Sequence, residues 1–127
     1  MSKIKFEIEY LLSNASAQVL WRSIGTPQGL SEWFSDGVTV EGEAYCFLWD
    51  KHEQSAKLLE SKSNQYIRFQ WDEDEGTDYY FEIKMSSTEL SKELSLLITD
   101  FAEEDEVDDS KLLWNQQVET LLRKLGI

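Results

Sequence analysis

A single histidine, His52, and a single cysteine, Cys46, are the first places to look for chemistry in this chain. His52 sits between Lys51 and Glu53 in a polar stretch that reads as a turn. A Ser-His-Asp triad or a multi-histidine zinc site needs partners in a recognisable pattern, and none is present. His52 is therefore expected at the surface. Cys46 has no basic neighbour in sequence to favour a thiolate, so an inert thiol is expected. One cysteine also excludes an internal disulfide and fits a reducing compartment.

The carboxylates are numerous, 25 in all, but their spacing is uninformative. "DEDEGTD" resembles a calcium loop only in composition. Counting from Asp72, Gly76 stands fifth and Ile83 twelfth, where an EF-hand wants glycine sixth and glutamate twelfth. A solvated hairpin turn is the expectation. "EEDEVDD" reads as a solvated loop that could also meet a basic surface. No pair of carboxylates flanked by apolar residues stands out as a general acid and base. No metal ligands and no cofactor are expected. Of the arginines, Arg68 falls outward by strand parity. Arg22 would anchor an anionic head only if it turned inward.

With 12 basic against 25 acidic residues the net charge is −13, which repels nucleic acid and anionic membranes at long range. The first residues, "MSKIKFEIEY", alternate polar and apolar and lack the apolar region of a signal peptide. No run approaches the roughly 18 apolar residues of a membrane helix. A cytoplasmic protein without membrane insertion is expected. Six Phe, five Tyr and five Trp predict an interior built from rings, within one domain over residues 1–127.

Elements that could position such groups follow from periodicity. Ile4, Phe6, Ile8 and Tyr10 alternate with charged residues and predict a strand. Ser13 or Asn14 could cap a helix carrying Ala17, Leu20, Trp21 and Ile24. Thr26 and Pro27 then open a short helix carrying Leu30, Trp33 and Phe34. From Val38 to Ala102 the period is two, giving six further strands, antiparallel because their connections are short. A final helix capped by Asp109 or Ser110 carries Leu113, Trp114, Val118, Leu121, Leu122 and Leu125.

The order of these elements, with "VLWRSIGTPQGLSEWF", "YIRFQW" and "KLLWNQQVETLLRKLGI", resembles the START-like or Bet v 1-like helix-grip superfamily. Thr26-Pro27 before Trp33, Trp71 in a strand and Trp114 in the closing helix resemble the branch of the Hsp90 ATPase activator homologues. The resemblance implies an α+β helix-grip fold. It predicts a curved antiparallel sheet of six to seven strands, two short helices after the first strand, and a long C-terminal helix across the concave face. Relatives often carry a glycine pair before the third strand, where this chain has Gly42 alone. They often place glycine just before the last tryptophan, and this chain does not. With its short length, these departures imply a smaller or collapsed cavity.

In such a fold the gap between sheet and helix can hold an apolar molecule. The candidate lining residues are Trp33, Phe34, Phe47, Trp49, Phe69, Trp71, Phe81, Trp114 and Val118. The same rings could simply close-pack as a solid core, and the residues alone leave both readings open. The function expected is a non-enzymatic binding domain for a small hydrophobic or amphipathic ligand. The alternatives are a co-chaperone-like protein-interaction module with a basic partner and, third, a cyclase- or hydrolase-like enzyme.

Overall fold

Alternation along the first strand puts Phe6 and Leu12 into the interior, and β1 spans Ile4–Leu12. The structure, a computed structural model, describes residues 2–12, 15–87 and 93–126. Two helices follow, α1 (Ala17–Ile24) and α2 (Pro27–Trp33). Ser16 caps α1, its hydroxyl accepting from the Val19 N–H; the expected caps Ser13 and Asn14 lie outside the described residues. Thr26 serves both helices. Its hydroxyl donates to the Arg22 carbonyl at 2.6 Å and accepts from the Gly29 N–H at 3.0 Å. Pro27 occupies the first helical turn, where a missing N–H costs nothing.

Gly29 explains how closely the two helices meet. A Cβ there would lie 2.0 Å from the Arg22 carbonyl oxygen and 2.7 Å from the Ser23 Cα. The Trp33 indole N–H donates to the Ser23 carbonyl at 2.8 Å and adds a second tie.

Six strands then run consecutively: β2 (Gly37–Glu41), β3 (Ala44–Trp49), β4 (His52–Lys62), β5 (Tyr66–Trp71), β6 (Phe81–Ser87) and β7 (Leu94–Ala102). All described pairings are antiparallel, in the order β1-β7-β6-β5-β4-β3-β2. Tight turns set the register. Gly42, at φ +63°, turns between Glu41 and Ala44, and Asp50-Lys51 turns between the opposed Trp49 and His52. His52 thus starts a strand and does not sit within the turn. "DEDEGTD" forms a 3-10 turn over Asp72–Asp74, and Asp74 is buried, paired with Lys3 at 3.0 Å.

The expectation of a curved sheet is corrected. The seven strands form one open array with β1 and β2 as its two edges, neither curved nor closed around a hollow. Curvature needs bulges or glycine kinks. The described ladders contain one register shift, between Leu58 and Glu60, and glycine occurs in no strand but β2.

A last helix, α3 (Val107–Leu125), packs on the face that carries the rings. It starts earlier than Asp109. The acidic stretch forms a 3-10 turn at Glu104–Glu106 and then the first turn of α3, where Asp108 and Asp109 suit the positive helix end. Gly126, at φ +77°, ends it. Its buried stripe is Trp114, Val118 and Leu121, narrower than periodicity suggests, because Leu113 remains 56% exposed. The sheet's other face bears polar pairs. There Arg68 binds Glu82 at 2.8 Å, on the side that parity assigns it.

Candidate functional site

Phe34 stands where the layers converge. It caps α2, is buried, and its ring centroid lies 5.0 Å from that of Phe47, 5.5 Å from Phe81 and Trp114, and 5.8 Å from Trp49. Phe69 and Phe81 stack at 5.2 Å, and Trp71 and Phe81 at 4.8 Å. Such spacings are those of rings in contact, so the space between the centre of the sheet and α3 is occupied by side chains. Phe47, Phe69, Phe81 and Val118 are wholly inside. Trp33 faces a shallower hollow beyond α2. The nine candidate residues therefore divide. Phe34, Trp49, Trp71 and Trp114 border open space together, and the other five do not share it.

That open space is a cleft of about 320 Å³ at the end of the sheet where β3, β5 and β7 meet α3. Trp49 ends β3 and Trp71 ends β5, and each is half-buried. Across from them α3 contributes Trp114, Gln117 and the exposed Leu113. The Gln117 amide donates to the Phe34 carbonyl at 2.8 Å and fixes the distance between α3 and α2.

None of the cleft's polar residues was among the nine candidates, and two of them, His52 and Asp100, are ionisable. His52 is exposed, as expected, but its imidazole stacks on Trp49 at 5.3 Å and 18°, which makes it a wall of the cleft. Asp100 lies on β7 in phase with Leu94, Leu96 and Ile98, which are buried. The alternation that buries those residues sends a carboxylate to the same face, and that parity was the available signal. One oxygen accepts from the Trp114 indole N–H at 2.8 Å, the other from the Phe101 N–H at 2.7 Å. Burial pushes its pKa up to about 6, against the two hydrogen bonds and the nearby Lys3 charge, which favour the anion. The sequence reading found no such carboxylate.

Other candidates lie apart. Arg22 is exposed and borders a larger hollow of about 680 Å³ between the helix pair and the end of α3. That hollow is lined by helix ends and the charged side chains Arg22, Glu32 and Lys124, with no aromatic ring among its described lining residues. The smaller cleft offers a surface of rings and polar groups and is the stronger candidate site. The Cys46 thiol donates to a Glu53 carboxylate oxygen at 3.6 Å, away from the cleft.

Among the described residues no helix is long and apolar enough to cross a membrane. Comparison with curated proteins finds no match. Solved structures do resemble this chain. BfR322 from Bacteroides fragilis is 43% identical, with a TM-score of 0.69 over 98% of this chain and 92% of its own. The Aha1 dimer structure from Colwellia psychrerythraea reaches a TM-score of 0.79 at 14% identity, covering 98% of this chain and 97% of that one. ChR145 from Cytophaga hutchinsonii reaches 0.72 at 16% identity, covering 99% and 97%. At such identities the last two speak for the fold alone. A family model described as the START-like superfamily domain matches residues 1–127. Strand, helix pair, six antiparallel strands and covering helix are thus the work of a known lineage, and the chain belongs to the START-like superfamily.

Proposed function

We propose that this chain is a non-enzymatic binding domain that takes a small amphipathic molecule in the cleft between the sheet and α3. The observation that carries the reading is the cleft itself, where Trp49, Trp71 and Trp114 border about 320 Å³ beside Asp100 and Gln117. Apolar walls with a few fixed polar groups are the usual make-up of a small-molecule site. The filled centre of the core restricts the ligand to this end of the sheet. Among the described residues, Ser110, His52 and Asp100 line the cleft but are not hydrogen-bonded to one another, so no nucleophile is paired with a base there and the hydrolase-like alternative gains no support. The test is a titration of isotope-labelled protein with a panel of small amphipathic compounds, read at the indole N–H signals of Trp49, Trp71 and Trp114. Saturable shifts at those signals support the reading. A panel that leaves all three unmoved refutes it.

A protein-interaction role of the Hsp90-activator type is the second reading. The likeness in fold to the Aha1 structure favours it. So does the pairing of exposed Leu112 and Leu113 with the acidic run leading into α3. Capture of one basic partner that weakens with added salt is the expected result.

A further inference from the structure

We propose that the ligand of the cleft is an organic cation, a small quaternary or primary ammonium compound; this rests on the binding role proposed above. Three observations converge. First, Phe34, Trp49, Trp71 and Trp114 all border the cleft, with His52 covering one face of Trp49, and aromatic rings attract positive charge through their quadrupole. Second, the Asp100 carboxylate lies among them with only neutral hydrogen-bond donors on its oxygens, the Trp114 indole and the Phe101 amide. The nearby Lys3 ammonium is engaged by Asp74 at 3.0 Å. Third, no lysine or arginine occurs among the described lining residues. Gln54, on the same wall, is held by Glu73 at 3.2 Å, a further negative charge behind the site.

These features also say what the cleft rejects. A fatty acid or other anionic head would bring its charge to Asp100 with no guanidinium or ammonium to receive it, in a chain of net charge −13. A neutral apolar molecule would fill the space but leave the carboxylate without its opposite charge. An ammonium compound meets the rings and Asp100 at once.

The experiment compares choline with 3,3-dimethylbutan-1-ol, its uncharged carbon isostere, by the same indole N–H titration at neutral pH. The expected result is a preference for choline of about tenfold, with the largest shift at Trp114. In Asp100→Asn the preference should fall to about twofold or less. Trp49→Leu keeps an apolar wall but removes a ring, and should weaken choline more than the alcohol. It gives the same test if the Asp100 variant does not fold. Equal binding of both compounds at these signals overturns the cation inference and leaves the small-ligand role standing. If neither compound, nor any of the amphipathic panel, moves the three indoles, the binding role falls and this inference with it.

Discussion

Replacing Asp100 by asparagine should alter how stability depends on pH. In the folded chain burial holds the Asp100 pKa at about 6, against 3.8 for a solvated aspartate. The folded state therefore binds the proton more tightly than the unfolded state. The stabilisation from that proton is complete below pH 3.8 and is lost as pH rises through 6. A difference of about two units corresponds to about 3 kcal/mol. Between pH 5 and pH 8 about 1–2 kcal/mol of this should disappear. Asparagine has no such titration, although one of the two N–H groups now bound by Asp100 would face its amide nitrogen. That mismatch costs about 1–3 kcal/mol at every pH. Urea denaturation of both proteins at steps across pH 5 to 8 gives the difference curve. The variant should gain about 1–2 kcal/mol relative to the parent over this range. A flat difference curve would refute the argument that burial dominates at Asp100.

Truncating Phe34 to alanine removes the ring that joins α2, the sheet and α3, and should cost about 3–5 kcal/mol by chemical denaturation; a loss below about 1 kcal/mol would show that the rings repack around the gap. Gly29→Ala must push a methyl against the backbone of α1, and a loss of about 3 kcal/mol is expected from thermal melts; an unchanged melting temperature would contradict the contact. Lys3→Met leaves buried Asp74 without its ion pair and should cost about 2 kcal/mol. Adding Asp74→Asn should recover part of that loss, which a double-mutant cycle measures.

Much of the architecture is legible from local chemistry. Thr26-Pro27 announces the break between α1 and α2 because a cap and a proline each have few other uses there. Period-two alternation locates the strands, since one face of each is buried. Sheet shape is another matter. It depends on bulges and pairing across strands far apart in sequence, which alternation does not encode, and the expected curve is absent. The site was legible in part. Trp49, Trp71 and Trp114 could be nominated as rings, but which rings border space and which fill the core depends on where α3 crosses the sheet. Asp100 was passed over because one carboxylate among 25 carries no mark of its own. Only its phase with Leu96 and Ile98 sets it apart.

The close approach at Gly29 has a mechanical consequence. Backbone touches backbone there, Thr26 bonds to both helices, and the Trp33 indole reaches across to Ser23. With so many short ties, α1 and α2 behave as one stiff bracket. By contrast, α3 is tied down by side chains, Gln117 to the Phe34 carbonyl at the end of α2 and Asn115 to the Tyr10 hydroxyl on β1. Side-chain ties yield before backbone contacts do, so if the cleft widens, α3 is the element expected to move while the bracket stays in place.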